Sequence, residues 1–256
     1  MAIPGVSTAR GSQFGSKSVL RRFVTFAFLF ALLPVLAVCL SGCENVQSSP
    51  QQSLVRFIDA SYNAPAVDVT VAGTSIASNV GQGTVTGYAL LAPSPQAKIV
   101  VSADGTTTPL VTSYGTLVVG HEHSVFLTDF NSTYKVVVLE DQGTPAPGGH
   151  SEIRFINEAP GTGAVDIYLV PGSSTLADAK IIATVPIGGT AGYITFTSQT
   201  VSLVTVQAGV VPTATNSTTT PLPLTGGEVD TALIVDSQLT TTPPSVIIVA
   251  DDVPAS

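Results

Sequence analysis

Arginine and aspartate recur at fixed spacing along this chain. Arg56 and Asp68 return as Arg154 and Asp166, each 98 residues further on. A guanidinium beside a carboxylate forms short, charge-assisted and often bidentate hydrogen bonds. Such an arginine could bind a carboxylate ligand, or it could tie two strands of one module together. The second use is expected here, as structural ion pairs Arg56–Asp68 and Arg154–Asp166. His121-Glu122-His123 is the one metal-like spacing. On a strand, residues i and i+2 face the same way, so His121 and His123 could reach one Zn²⁺. Two ligands do not make a structural zinc site, which takes four. His150, the remaining histidine, falls in a Pro/Gly stretch, and the counterparts of the pair in the second half are Glu228 and Asp230. No metal and no cofactor are expected, with His121 and His123 as weak candidates only. Asp129/Asp236 and Asp141/Asp251 close apolar runs in both halves. Carboxylates at one pole of a β-sandwich can hold Ca²⁺, but no Asp-x-Asp-x-Asp-Gly loop is present, so turn capping is expected. Tyr88 and Tyr193 are expected in the core with the hydroxyl at its edge. Gly-x-Ser-x-Gly, His-Glu-x-x-His and a Gly-rich phosphate loop are all missing from the sequence. No catalytic residue is assigned, and the chain is not expected to be an enzyme.

One cysteine carries chemistry of another kind. Arg10, Lys17, Arg21 and Arg22 are followed by an uncharged run from Phe23 to Leu40 and then by Leu40-Ser41-Gly42-Cys43. A basic segment, an apolar segment and small residues before a cut are the parts of a secretory signal. The last four residues resemble the lipobox of bacterial lipoproteins. That resemblance implies a diacylglyceryl thioether on Cys43, which becomes the mature N-terminus. A covalent lipid on Cys43 is thus the one attached group expected. A single myristoyl-sized chain binds membranes only marginally, whereas two or three acyl chains hold firmly. The alternative is an uncleaved transmembrane helix near 23–40, at the short edge of what spans a bilayer.

The charge of the remainder narrows the partners. Four of the nine Lys+Arg lie within the leader, so five stand against seventeen Asp+Glu beyond it. Nucleic-acid affinity comes mainly from Lys and Arg on phosphates, so nucleic acid is excluded. Electrostatic adsorption to anionic lipid is disfavoured on the same ground. Cys39 and Cys43 are the only cysteines, so no disulfide framework can brace the mature body. Stability has to come from packed cores.

The body repeats itself. Val55-Arg56-Phe57-Ile58 returns as Ile153-Arg154-Phe155-Ile156, and Ala66-Val67-Asp68-Val69 as Ala164-Val165-Asp166-Ile167. Gly87-Tyr88 matches Gly192-Tyr193 at a spacing of 105, and Ile99-Val100-Val101 matches Val204-Thr205-Val206 at the same spacing. Val125 to Asp129 matches Ala232 to Asp236 at 107, and Val136 to Leu139 matches Val246 to Val249 at 110. A period near 100 is a tandem-domain spacing, too long for a solenoid. Val67, Val69 and Val71 alternate with Asp68 and Thr70, the period of a half-buried strand. Seven strands are predicted in the first copy, near 54–60, 66–72, 84–91, 97–103, 110–118, 123–129 and 134–140. The fold class expected is all-β: two tandem immunoglobulin-like β-sandwich modules behind a lipoprotein signal peptide. The expected division is a signal peptide over 1–42, a polar tether over 43–53, module 1 over 54–141, a Pro/Gly linker over 142–151 and module 2 over 152–253.

The segment from Val55 to Val71, with Gly87-Tyr88 and Gly120-His121-Glu122-His123-Ser124-Val125-Phe126, resembles the bacterial family known as domain of unknown function 4397. The resemblance covers both copies, more loosely in the second, where Glu158-Ala159-Pro160-Gly161 stands for Ala60-Ser61-Tyr62-Asn63. It implies an extracytoplasmic β-sandwich, often in tandem and often membrane-anchored, and it implies no activity.

The expected function is that of a lipid-anchored cell-envelope protein with tandem β-sandwich modules, a non-catalytic binding or adhesion component, held on the extracytoplasmic side, in an outer membrane if the cell has one. Its partners would be the membrane, through the lipid, and an envelope protein or glycan. A structural spacer is the first alternative, and a cryptic metal-dependent hydrolase the lesser one. If a variable recognition loop exists, the long turn near Pro212 to Pro223 is where it is expected.

Overall fold

The computed structural model describes residues 51–130, 133–172, 174–237 and 243–251. The predicted signal peptide over 1–42, the alternative helix near 23–40, Cys43 and most of the 43–53 tether lie outside the described residues. Among the described residues, no helix is long and apolar enough to cross a membrane.

The chain is all-β and forms two β-sandwich modules. The first holds β1 (Ser53–Asp59), β2 (Val67–Val71), β3 (Thr74–Val80), β4 (Ala89–Leu91), β5 (Ser94–Ala103), β6 (Pro109–Leu117), β7 (Glu122–Phe130) and β8 (Thr133–Asp141). The second holds β9 (His150–Glu158), β10 (Val165–Pro171), β11 (Ile181–Val185), β12 (Thr190–Thr197), β13 (Gln199–Gln207), β14 (Ser217–Leu224), β15 (Val229–Val235) and β16 (Ser245–Ala250). Module 1 stacks a sheet of order β4-β1-β7-β8 on one of order β3-β2-β5-β6. Module 2 repeats both orders strand for strand, as β12-β9-β15-β16 and β11-β10-β13-β14. Among the described residues, only β1–β7 and β9–β15 pair in parallel.

Alternation builds each core. Val67, Val69 and Val71 are fully buried while Asp68 and Thr70 between them stay half-buried. They meet Val55, Phe57, Val125 and Leu127 of the facing sheet. Module 2 closes on Ile153, Phe155, Val165, Ile167, Leu203 and Ile234 in the same way.

Among the described residues each module has eight strands, not seven, because Thr74–Val80 forms β3. That segment is polar and irregularly paired with β2, so it shows little alternation to read. The strand predicted over 84–91 shrinks to Ala89–Leu91 plus a single bridge from Val85 to Ile58. Val71 pairs with Ile99 and the equivalent Leu169 with Leu203, so β5 and β13 correspond at a spacing of 104 rather than 105. A slip of one residue exchanges the two faces of a strand, and burial of Ile99 and Leu203 fixes the correct register.

The stretch between modules is shorter than the 142–151 expected, since β9 begins at His150, paired with Thr197. It is also pinned. The Gln142 N–H donates to the Tyr193 hydroxyl, the Ala146 N–H to Gly227 O and the Ser198 N–H to Gly149 O.

A third core joins the two sandwiches. Ile58, Ala60 and Phe126 of module 1 pack with Ile156, Leu233, Val235 and Val249 of module 2, flanked by Val137, Leu139 and Ile247. The central strands of these sheets are therefore buried on both faces. β15 shows the consequence, with all seven residues buried. Strands covered on both sides read as continuous apolar runs, which is what Ala232-Leu233-Ile234-Val235 is.

Candidate functional site

The arginines of the repeat point into this third core. Arg56 lies on β1 opposite Val55 and Phe57, on the face that carries Ile58. Ser124 shares its face of β7 with Phe126, and Asp141 follows Val137 and Leu139 at alternate positions of β8. Arg154, Thr231 and Asp251 hold the same positions in module 2. All six side chains meet where the modules touch.

The contacts cross between modules. Arg56 Nη2 donates to Asp251 Oδ1 at 2.5 Å, and Arg154 Nη2 donates to Asp141 Oδ1 at 2.6 Å. The Arg56–Asp141 and Arg154–Asp251 distances within each module are longer, 3.5 Å each. Each arginine also reaches the carbonyl before its partner aspartate: Arg56 Nη1 donates to Ala250 O, and Arg154 Nη1 to Glu140 O at 2.8 Å. Each is steadied at home by a hydroxyl, Arg56 Nε on Ser124 Oγ at 2.7 Å and Arg154 Nε on Thr231 Oγ1 at 3.0 Å. Those hydroxyls in turn donate hydrogen bonds to the local aspartate, Ser124 to Asp141 at 2.6 Å and Thr231 to Asp251 at 2.5 Å.

Tyrosines complete the shell. The Tyr88 hydroxyl donates to Asp141 at 2.9 Å and the Tyr193 hydroxyl to Asp251 at 2.7 Å. Each ring also lies under the arginine of its own module, 4.7 Å from Arg56 and 4.9 Å from Arg154. Stacking of this kind adds roughly 2 kcal/mol where water is excluded. Burial, then the adjacent carboxylate, pushes both tyrosine hydroxyls well above their usual pKa, so both remain donors. Burial also raises Asp251, against the pull of Arg154.

The carboxylate side chains of Asp141 and Asp251 are completely shielded from solvent, and the arginines expose only 4–5 %. Two positive and two negative charges balance. A lone buried ion costs several kcal/mol even after relaxation, so such a group persists only when it is paired and hydrogen-bonded throughout. What this arrangement does is brace two modules into one body. Its polar atoms are spent on each other, and the carboxylates present no surface to a substrate.

The expected pairs Arg56–Asp68 and Arg154–Asp166 do not form. Asp68 and Arg56 project from opposite outer faces of the sandwich, with the module core between them. Asp68 instead accepts the N–H groups of Asn79 at 2.9 Å and Gly105 at 3.1 Å, and these bonds hold its pKa low. Asp166 accepts from the Thr184 hydroxyl and from the Gly209 N–H. Both fasten turns. A signal for the true partners was present in parity: Arg56 and Asp141 share their strand faces with Ile58, Val137 and Leu139, apolar residues pointing away from the module core.

Asp129 and Asp236 cap turns as expected. Asp129 accepts the Ser61 hydroxyl and the Tyr62 N–H, both at 2.7 Å. Asp236 accepts the N–H groups of Gly161 and Thr162. Asp141 and Asp251 cap no turn and belong to the brace. His121 and His123 do not converge. His121 precedes β7 and contacts Glu140 at 2.6 Å, half exposed. His123 is buried and its Nε2 accepts the Val118 N–H, with burial lowering its pKa. Among the described residues, no three His, Cys, Asp or Glu stand where they could hold a metal ion.

Module 2 departs from module 1 on its outer sheet. β2 and β3 meet in a tight turn with Ala72 and Gly73 both at positive φ, as a two-residue hairpin of the primed type requires. Between β10 and β11 the chain instead runs through a 3₁₀ turn, Leu176–Asp178. Leu176 and Ala179 cover Tyr168, Val170, Val204 and Val206. A recess of about 460 Å³ opens beside them, lined by Tyr168, Leu176, Ile181, Val211 and Pro212 among others. It includes the start of the long turn singled out from the sequence.

Residues 53–168 match the family model described as "Domain of unknown function (DUF4397)". The match spans module 1, β9 and the first part of β10. No curated protein matches the chain. Among solved structures, a "putative cell adhesion protein" from Bacteroides uniformis aligns at 10% identity over 79% of this chain and 99% of that one, with a TM-score of 0.24. A second so described, from Bacteroides fragilis, aligns at 11% identity over 79% and 98%, with a TM-score of 0.17. Likeness at this level says nothing about what the present chain binds.

Proposed function

We propose that this chain is a lipid-tethered, non-catalytic protein of the cell envelope whose two modules act as one binding head. The observation that supports it most is the brace: the arginines and aspartates that could have formed a polar site are consumed in joining the modules. A head made rigid in this way loses little entropy on meeting a partner, because its two halves are already ordered relative to each other. The Leu40-Ser41-Gly42-Cys43 sequence supports the tether, with the acyl chains on Cys43. The partner would be an envelope protein or glycan. Ile181 and Val211, exposed beside the recess of module 2, mark the face to examine first.

Intact mass of the membrane-extracted protein, beside Cys43→Ala, tests the tether. A mass of residues 43–256 plus acyl chains, lost in the variant, is the expected result. An unprocessed chain in both would replace the lipid by a membrane-spanning helix. Retention of the extracted protein on isolated envelope fractions tests the head. Val211→Asp is expected to weaken that retention. No retention on any fraction would leave a structural spacer, the reading that the rigid interface would serve equally well.

A further inference from the structure

Asp59 and Asn157 occupy the same place in the two modules. The Asp59 N–H donates to Thr84 O and its carbonyl accepts from the Gly83 N–H. The Asn157 N–H donates to Gly189 O and its carbonyl accepts from the Gly188 N–H. Both side chains are completely buried. Asn157 uses both ends of its amide. Its Oδ1 accepts the Ala159 N–H at 3.0 Å, and its Nδ2 donates to Gly163 O at 2.7 Å and Val185 O at 2.9 Å. Asp59 reproduces the first bond, Oδ1 accepting the Ser61 N–H at 3.0 Å. Its Oδ2, in the place of the asparagine nitrogen, is buried and has no hydrogen-bond partner. Val67 pairs with Val80 as Val165 pairs with Val185, so the carbonyls of Pro65 and Val80 are the counterparts of the two that Asn157 serves. A carboxylate there would set negative charge against carbonyl oxygens. A carboxylic acid would donate to them.

We propose that Asp59 carries a proton in the folded protein and donates it from Oδ2 as Asn157 donates its amide N–H, which makes the corner from Asp59 to Ala66 a proton-dependent clasp that module 2 lacks.

The surroundings agree. Burial raises the Asp59 pKa to about 7; the Ser61 N–H opposes the rise and the charge of Asp129 adds to it. Asp129, on β7, is the charged group facing it. Tyr62 belongs to the same corner, and Tyr134 on β8 donates to Asn63 O. Lys135 on β8 is turned to the other face, toward Glu158. β3, β4 and the 81–86 segment contain no ionisable residue, and Asp68 on β2 points outward to its turn. The folded state thus holds a proton that the unfolded chain gives up near the ordinary aspartate pKa. Stability from this group is full below that value and is lost as pH rises through about 7.

Urea unfolding of the full chain between pH 5 and 9, for wild type, Asp59→Asn and Asn157→Asp, tests the clasp. The unfolding constant of wild type relative to Asp59→Asn should rise by up to about tenfold per pH unit from pH 5 to 7 and then level off. Asn157→Asp should acquire a second dependence of the same sign. Infrared spectra at pH 6 should show a protonated-carboxyl band that Asp59→Asn loses. A wild-type to Asp59→Asn ratio that is flat across the range, or an unchanged infrared spectrum, would overturn the proposal.

Discussion

The two ends of the seam between the modules are built on the same strands and solve the same problem differently. At one end, Arg56 meets Asp251 and Arg154 meets Asp141, and every group occurs twice. At the other end, Glu158 accepts from Lys135 at 3.3 Å and from the Thr128 hydroxyl at 3.4 Å. The equivalent trio is Ala60, Ser245 and Val235, of which Ala60 and Val235 are part of the shared apolar core. Copying one module supplies both halves of a reciprocal pair at once, so the first end is neutral in both directions. Glu158 is itself buried, with 4% of its side chain exposed, but the side chain of its lysine is 38% exposed, so one member of the pair keeps contact with water. Its absence from the other copy therefore leaves no charge unmatched. Pairs buried on both sides are matched by symmetry here, and a pair with one member near water is not.

The largest effect expected is loss of one arm of the brace. Arg154→Ala leaves buried Asp141 with only its longer, 3.5 Å contact to Arg56 and should destabilise the protein by about 3–5 kcal/mol in urea unfolding. Arg56→Ala should cost a similar amount, and unequal costs would show that the halves are not equivalent. Removing a crossing pair together, Arg56→Met with Asp251→Ala, should cost less than the sum of the single changes, because no ion is left alone.

A middle effect would break the symmetry at the other end. Ala60→Glu puts a carboxylate against Val235 with serine in place of lysine, and should cost about 3–5 kcal/mol as an unpaired buried charge. Adding Ser245→Lys should recover part of the loss. Glu158→Ala should cost much less, about 1 kcal/mol, since Lys135 can turn to water. Equal costs for Ala60→Glu and Glu158→Ala would show that exposure is not what separates the two ends.

The smallest effect sets the baseline. Lys98→Ala, on the exposed face of β5, should change stability by no more than about 0.5 kcal/mol. The melting temperature of Arg56→Ala should lie far below that of Lys98→Ala. Equal values would remove Arg56 from any bracing role.

Much of the fold could be read from the residues. Alternation in Val67–Val71 gives a half-buried strand, and the return of Val55–Ile58 at Ile153–Ile156 gives a second module. The site was half legible. That Arg56 and Arg154 need carboxylates follows from their apolar neighbours. Which carboxylates they find did not, because Asp68 is near in sequence while Asp251 belongs to the other copy. β3 was missed because its pairing, not its side-chain pattern, makes it a strand.

By itself, then, the sequence determined local matters: the strand periods, the duplicated order, the acidic composition, and the basic and apolar run that precedes Cys43. These depend on neighbours a few residues apart, or on composition. Only the tertiary structure decided that strands β1 and β9 are buried on both faces, that Arg56 bonds across to Asp251 rather than within its own module to Asp68, and that Asp59 stands in the place of Asn157. Each of those depends on which surfaces meet. Burial turns an ordinary charge into one that must be matched, and burial is a property of the packed molecule.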